Sequence, residues 1–240
     1  MPPLIRATIA ELRSQAWSRA FLLTLVLVLP CAAFFVGLDA AYIYGRIDGE
    51  ILPWQFNLSE EGSISEWFEY ALTLGAAAWM IQLWRSERAP AFAAAAMTFL
   101  WLTLDNALAL HEAAGAALAP LLATLAGERS ADLGELIIFG FAALAIVAAL
   151  SSAIRASERC AAARVLCVMV PVAIGAGFGV AMDFVSHFAA DALAARLSFD
   201  FVEDSGELAM LCFATAFAAA IRFNAPAARS SERSLKPSAA

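Results

Sequence analysis

The sequence contains little lysine, histidine or cysteine. Among its 240 residues there are two histidines, four cysteines and one lysine, Lys236, which lies in a polar segment. Covalent chemistry through a lysine inside a membrane, such as a retinal Schiff base, is therefore excluded. The cysteines show no close metal-binding spacing, and none lies in a segment that we place on the outer side of the membrane. A disulfide framework is therefore excluded as well.

Charged residues are also scarce. They make up 15% of the chain, whereas hydrophobic residues make up 62% and the mean hydropathy is +0.75. A soluble domain has about 25% charged and about 45–50% apolar residues. The net charge of −7 excludes nucleic-acid binding, which needs a basic surface. We therefore predict an all-α integral membrane protein that binds no nucleic acid.

Long apolar segments predict the domain organisation, because a membrane-spanning helix needs about 20 apolar residues. Six segments qualify: 20–44, 65–84, 91–112, 132–152, 165–189 and 201–221. We predict a six-helix transmembrane domain over residues 20–222. Residues 1–19 have the pattern of an amphipathic helix at the cytoplasmic face, and residues 223–240 have the composition of a disordered cytoplasmic tail.

The basic residues predict the orientation of these spans. Twelve of the fifteen lie on one side of the predicted bundle, and only Arg46, Arg129 and Arg196 lie on the other. Since basic residues accumulate on the cytoplasmic side, both termini are predicted to be cytoplasmic. The protein is then a multi-pass protein of a bacterial inner membrane, and segments 45–64, 113–131 and 190–200 are outer loops.

The acidic residues have the opposite distribution. Four lie on the predicted cytoplasmic side, and the other eighteen lie in the outer loops or the outer halves of the spans. Both histidines belong to this outer layer. Ionisable groups within a span are costly and usually face a bundle interior, a partner or a water-filled cavity. The layer therefore predicts a polar site at the outer leaflet.

A short repeat occurs within this layer. Residues 132–136 and 204–208 both read D-x-G-E-L, and each copy opens a predicted inward span. Each also follows an outward span that carries Asp and His, with Asp39, Glu66 and Glu69 as a degenerate first version. This pattern predicts three hairpins in parallel repeat, whose outer ends surround one site.

Side chains in the outer layer have the spacing of metal ligands. On one helix, positions i and i+7 lie on nearly the same face, as predicted for Asp105 and Glu112. Positions i and i+4 are neighbours, as predicted for Asp183 with His187 and for Glu203 with Glu207. Carboxylates combined with imidazoles suit Zn²⁺, Mn²⁺ or Fe²⁺. The predicted metal ligands are Asp105, His111, Glu112, Asp183, His187 and Glu207. Glu135 or Glu203 is the predicted general base on a metal-activated water.

Simpler interpretations stand beside these. Asp132, Asp204 and Ser63, each followed three residues later by Glu, have the pattern of helix N-terminal capping boxes. Two histidines on different spans are also compatible with haem ligation, although the many carboxylates argue against it. The acids of the first outer loop, including Glu60, fit a solvated surface, and the G-x-x-x-G spacing of Gly175 and Gly179 fits helix packing.

Four strings carry a resemblance to a known group of sequences. They are LDNALALHE at 104–112, DLGE at 132–135, DFVSH at 183–187 and EDSGE at 203–207. Over roughly residues 60–215 this combination resembles a bacterial family of uncharacterised six-span membrane proteins, which implies the fold and no established activity. A looser likeness is to the alkaline-ceramidase-type membrane hydrolases, which hold zinc with Ser, Asp and His from several spans. This sequence lacks a His-x-x-x-His pair, and Asp183 and His187 stand where one would be sought.

Three functions follow as hypotheses. The first is a metal-dependent membrane enzyme, a hydrolase or transferase that acts on a lipid or lipid-linked substrate at the outer leaflet. The second is a cation or proton transporter, in which the same acids form an outer vestibule. The third is a non-catalytic structural or assembly subunit whose acids bind a basic partner. The sequence sets no oligomeric state.

Overall fold

The computed structural model describes residues 3–60, 62–189 and 193–224, without the side chains of residues 128, 132, 180, 181, 183–189 and 193. The described residues form eight α-helices and two single 3₁₀ turns, and no strand occurs among them. The helices are α1 (Pro3–Ala16), α2 (Arg19–Asp48), α3 (Ile64–Glu87), α4 (Pro90–Leu108), α5 (Leu110–Ala126), α6 (Ser130–Arg155), α7 (Arg159–Ala189) and α8 (Leu193–Asn224). The predicted all-α fold class is confirmed.

Five helices are long and apolar enough to cross a membrane. The qualifying segments are Arg19–Asp48, Pro90–Leu108, Leu133–Arg155, Arg159–Gly179 and Ala194–Asn224. They correspond to five of the six predicted spans and fit a multi-pass membrane protein. The remaining predicted span, 65–84, forms most of α3, which has 24 residues and a length of about 36 Å. Helix α3 is less apolar because it carries Glu66, Glu69 and Gln82, so six spans stay a prediction.

The helices differ from the predicted spans and outer loops at three places. The span predicted over 91–112 breaks at Ala109, which has a left-handed backbone with φ of 46°. The outer loop predicted over 113–131 is mostly α5, because its Ala- and Leu-rich sequence has high helix propensity. At 17 residues, or about 26 Å, α5 is too short to cross a bilayer at right angles. Helix α8 begins at Leu193, inside the outer loop predicted over 190–200.

Helix α1 covers most of residues 1–19, the segment predicted to form an amphipathic helix. It packs against α7 and the neighbouring end of α8. The Arg164 guanidinium joins three helices at this end, since its nitrogens lie 3.6 Å from a Glu11 oxygen and 3.0 Å from a Glu87 oxygen. The Asn224 side chain donates a hydrogen bond to Gln15. Of the predicted tail 223–240, residues 225–240 lie outside the described residues.

A buried apolar core fills the part of the bundle nearest α1. It comprises side chains of α2, α3, α4, α7 and α8, the largest of which are Phe21, Met80, Leu83, Phe92, Phe99, Val165, Val168, Phe217 and Ile221. The closest helix pairs are α7 with α8, α5 with α6, and α3 with α4, while α2 packs mainly against α8. Because α2 makes few contacts with α3, the first of the three predicted hairpins is not a packed pair.

Candidate acidic site at one end of the bundle

A polar cavity of about 160 Å³ opens at the end of the bundle opposite α1. It lies among α3, the junction of α4 and α5, α8, and the segment that precedes α3. The residues that line it are Leu58, Ser59, Glu60, Glu66, Glu69, Asn106, His111, Glu112, Asp204 and Glu207. Six of these are carboxylic acids and one is histidine, and no lysine or arginine occurs among these described lining residues.

The first turns of α3 contribute two of the carboxylates. Ser63 caps the helix, and its hydroxyl accepts a hydrogen bond from the Glu66 backbone N–H at 3.4 Å, which confirms the predicted capping role of Ser63. The Glu66 carboxylate accepts hydrogen bonds from the Gly62 backbone N–H and the Tyr70 hydroxyl. Glu69 follows almost one helical turn later, so both carboxylates reach the same cavity.

The α4–α5 junction brings His111 and Glu112 to the cavity. Asp105 is 5% exposed, and its Oδ1 accepts a hydrogen bond of 3.2 Å from the His111 backbone N–H. Its Oδ2 lies 3.3 Å from His111 Nδ1. The expectation that Asp105 and Glu112 share one helical face is wrong, because the left-handed residue Ala109 separates them into two helices. Asp105 orients His111 and does not itself line the cavity.

Helix α8 contributes Asp204 and Glu207. The capping interpretation of Asp204 is wrong, because α8 begins at Leu193 and Asp204 lies well inside it. Glu203 and Glu207 are one turn apart and approach the same point on α7. A Cβ added to Gly179 would lie 2.6 Å from Glu207 Oε1 and 3.4 Å from Glu203 Oε1. The predicted neighbourhood of Glu203 and Glu207 is confirmed.

The segment before α3 forms one wall of the cavity. Leu58 is 8% exposed and packs into a small apolar cluster with side chains of α2, α3 and α8. Its backbone N–H donates to Oδ1 of the buried Asp39 at 3.1 Å. The Ser59 hydroxyl donates to Asp204, and Glu60 lines the cavity. Glu60 is exposed, as expected for an acid of a solvated surface, and it also borders this open cavity.

Several predicted site residues lie elsewhere. The side chains of Asp183 and His187 lie outside the described residues, as does that of Asp132. Glu135 packs at the crossing of α5 and α6, where its Cγ would lie 2.4 Å from a Cβ added to Gly115. It is not among the residues that line the cavity. Among the described residues, no group of three or more His, Cys, Asp or Glu side chains is arranged to hold a metal ion.

The glycines of the D-x-G-E-L repeat mark close helix contacts. A Cβ at Gly134 would lie 2.4 Å from the backbone oxygen of Gly115, so α5 and α6 touch through their backbones. A Cβ at Gly206 would lie 2.9 Å from the ring of Phe178 on α7. In both copies the glycine therefore allows close contact with a neighbouring helix. The glutamates differ, because only the glutamate of the second copy lines the cavity.

Beneath the cavity the bundle becomes apolar within two helical turns. The hydroxyl oxygens of Thr73 and Thr103 lie 2.7 Å apart, and Thr73 also donates to the carbonyl of Glu69. One turn further along α3, Ala76, Ala77 and Met80 are fully buried. The carboxylates thus belong to one end of the bundle and face a close-packed apolar interior.

Four acids line the cavity although they were not among the predicted ligands: Glu60, Glu66, Glu69 and Asp204. The outer acidic layer included all four, so their charge and position along the chain were the available signal. Comparisons with protein-family models, with curated proteins and with solved structures find no match.

Proposed function

We propose that the chain is a bacterial inner-membrane protein with six spans, cytoplasmic termini and its acidic cavity on the periplasmic side. Helix α3 is the sixth span in this proposal, because it packs along α4 and α8 and matches the thickness of a bilayer core. The Lys and Arg distribution supports the orientation. Arg164 and the buried contacts of α1 then lie at the cytoplasmic face.

We further propose that the cavity binds a divalent cation and serves a metal-dependent hydrolase or transferase. The observation that carries this proposal is the convergence of six carboxylic acids and one imidazole on a single cavity. Like charges held close together at a membrane boundary repel one another, and a bound cation would offset that repulsion. Zn²⁺, Mn²⁺ and Fe²⁺ all accept mixed carboxylate and imidazole ligands.

The residues take distinct roles in this proposal. Glu69, His111, Glu112 and Glu207 line the cavity without forming a metal site in the described structure, so metal binding would have to draw these side chains together. Asp183 and His187 of α7 would be further ligands, as predicted from the sequence. Asp105 would fix the orientation of His111, in the way that carboxylates commonly support a metal-bound imidazole. Neither of the two predicted bases is among the residues that line the cavity. Glu203 is retained as the general base because it lies beside the lining residue Glu207 at the α7–α8 contact, whereas Glu135 lies at the crossing of α5 and α6.

The proposed substrate is a lipid or a lipid-linked molecule. A cavity that opens at the end of a membrane bundle lies at the depth of headgroups rather than of acyl chains. A bound metal would polarise a carbonyl or phosphoryl oxygen of the headgroup and would activate a water molecule for attack. Glu203 would accept the proton from that water.

Elemental analysis of the purified protein in detergent tests the metal proposal. We expect divalent metal bound to the wild type and lost from the Glu69→Gln and Glu207→Gln variants. Glu50→Gln is the matched control, because Glu50 is an exposed acid that does not line the cavity. A wild type that holds no metal, and whose unfolding temperature does not respond to a chelator, contradicts the proposal.

A second measurement tests the reaction. Purified protein is incubated with total bacterial lipid with and without added Mn²⁺ or Zn²⁺, and the lipids are analysed by mass spectrometry. We expect one class of lipid to lose or exchange its headgroup, or a part of it, when metal is present. The Glu203→Gln variant should bind metal and fail to produce this change. An unchanged lipid profile under every metal condition would contradict the enzyme proposal.

The absence of Lys and Arg among the described lining residues also suits a cation or proton transporter as a second candidate. In that case the carboxylates form a vestibule, and a polar route must open through the apolar layer around Ala76, Ala77 and Met80. Cation uptake into proteoliposomes that Glu69→Gln abolishes would favour the transporter. Metal binding without uptake would favour the enzyme.

A further inference from the structure

Glycines of both helices lie at the contact between α7 and α8. On α7, a Cβ at Gly175 would lie 3.3 Å from Met210 Cβ and 3.8 Å from Glu207 Cα. On α8, Gly206 accepts the ring of Phe178. These contacts fit the predicted packing role of the G-x-x-x-G spacing, since small residues let two membrane helices approach closely.

Gly179 differs from these packing glycines. The atom nearest to a Cβ placed there is the carboxylate oxygen Glu207 Oε1, at 2.6 Å, and the next is Glu203 Oε1, at 3.4 Å. No backbone atom of α8 is among the three nearest neighbours. At Gly115, in contrast, the backbone N and Cα of Glu135 lie 2.6 and 2.9 Å from the added Cβ. Gly115 allows two backbones to approach, whereas Gly179 makes room for a carboxylate.

We infer that Gly179 is a positioning residue, whose missing side chain lets the Glu207 carboxylate lie against α7 while it lines the acidic cavity. A real Cβ atom almost never lies closer than 3.0 Å to another heavy atom, so an alanine at this position would displace that carboxylate. The displaced atom is the far end of a flexible side chain, so the shift itself costs little and its main effect falls on where the carboxylate lies. One turn away on α7, Gly175 packs against the side chain of Met210 and Cα of Glu207. The inference rests on the proposed function only for the identity of the ligand, and the steric relationship holds without it.

The matched control lies two residues away on the same helix. A Cβ added to Gly177 meets no atom within 4 Å, so Gly177→Ala adds a methyl group into open space. Alanine has the higher helix propensity, and both substitutions gain equally from that effect. The difference between Gly179→Ala and Gly177→Ala therefore isolates the contact with the carboxylates. Glu207→Asp removes one methylene and withdraws the carboxylate from the space that the new methyl group needs.

The test measures Mn²⁺ affinity and the unfolding midpoint in detergent for the wild type and five variants. These are Gly177→Ala, Gly179→Ala, Glu207→Asp, Gly179→Ala with Glu207→Asp, and Gly179→Ala with Glu207→Ala. We expect Gly177→Ala to bind Mn²⁺ like the wild type and to raise the midpoint slightly through its helix propensity. Gly179→Ala should weaken Mn²⁺ binding about ten-fold or more, as displacement of groups around a metal does. In the Glu207→Asp background, Gly179→Ala should cost less affinity and less stability. Equal Mn²⁺ affinity in Gly179→Ala and the wild type overturns the inference, and so do strictly additive effects on the midpoint.

Two outcomes separate this inference from the proposed function. A wild type that binds neither Mn²⁺ nor Zn²⁺ overturns the metal proposal, and the unfolding midpoints of the same variants still decide the steric relationship. If Gly179→Ala alone does not fold, Glu207→Ala is compared with and without Gly179→Ala. A midpoint that is unchanged or raised by Gly179→Ala supports the inference, because the obstructing carboxylate is gone and alanine has the higher helix propensity. A further loss of stability on adding Gly179→Ala overturns it.

Discussion

The imidazole of His111 and the carboxylate of Asp105 face each other across the break between two helices. His111 Nδ1 lies 3.3 Å from Asp105 Oδ2, and the His111 backbone N–H donates to Asp105 Oδ1 at 3.2 Å. The buried Asp105 carboxylate thus lies near the end of α4, accepts a hydrogen bond from the first turn of α5 and contacts the imidazole of His111. Ala109 makes this geometry possible by taking a left-handed conformation between them.

Replacing Asp105 should therefore destabilise the junction. We expect Asp105→Ala to lower the free energy of unfolding by about 1.5–3 kcal/mol, the range for a buried hydrogen bond to a charged group. Asp105→Asn should cost less, because its amide oxygen still accepts the His111 N–H. Denaturant unfolding in detergent measures both variants. Asp48→Asn, an exposed acid at the end of α2, is the control and should change little.

The backbone at Ala109 predicts a substitution that stabilises the protein. A residue with a Cβ loses roughly 1 kcal/mol in the left-handed region, and glycine does not. We expect Ala109→Gly to raise the free energy of unfolding by up to about 1 kcal/mol. The same change at Ala107, an exposed position inside α4, should lower it by about 0.5–1 kcal/mol. Two shifts of the same sign would contradict the assigned conformation of Ala109.

The packing of Leu58 predicts that the cavity wall depends on one apolar side chain. Leu58 lies among Ala32, Leu72, Leu208 and Cys212, and it is 8% exposed. We expect Leu58→Ala to lower the free energy of unfolding by about 2–4 kcal/mol, since truncation of a buried leucine leaves a cavity. Ile51→Ala is the matched control, because Ile51 in the same segment is 98% exposed. Comparable losses in the two variants would show that Leu58 is not a buried anchor.

The proposed crossing by α3 predicts that its two ends react on opposite sides of the membrane. Cysteines are introduced singly at Glu50, in the segment between α2 and α3, and at Arg88, which directly follows α3, in a variant without Cys31, Cys160, Cys167 and Cys212. With an impermeant maleimide, Glu50→Cys should react in intact cells, whereas Arg88→Cys should react only after permeabilisation. Reaction of both positions in intact cells would show that α3 does not cross.

Part of the candidate site was accessible from residue types and their spacing. An acidic residue inside an apolar segment is costly, and so the outer layer indicated a polar site before any helix was placed. Glu112, His111 and Glu207 were predicted site residues, and the structure brings all three to one cavity. Glu203 and Glu207 were predicted neighbours on one face, and they are, because α8 is continuous through both.

Other features depended on contacts between distant segments. The break at Ala109 interrupts an apolar sequence that has no glycine or proline there, and the buried Asp105 stabilises it from the preceding helix. Glu60 reaches the cavity because Leu58, two residues earlier, is anchored among three helices. Glu135 and Glu207 occupy equivalent places in the repeat, yet Glu135 packs against Gly115 of α5, whereas Glu207 lines the cavity and lies next to Gly179 of α7.

Residue composition and order were enough to predict the helical class, most of the apolar segments and the separation of acids from bases. These properties follow from composition and from the cost of placing charge in an apolar medium, and neither depends on which helices touch. Only the tertiary structure decided which carboxylates share a cavity, that Asp105 supports His111, and that Gly179 accommodates Glu207. Those outcomes depend on side chains meeting across helices at distances of a few ångströms, which residue spacing along one chain does not specify.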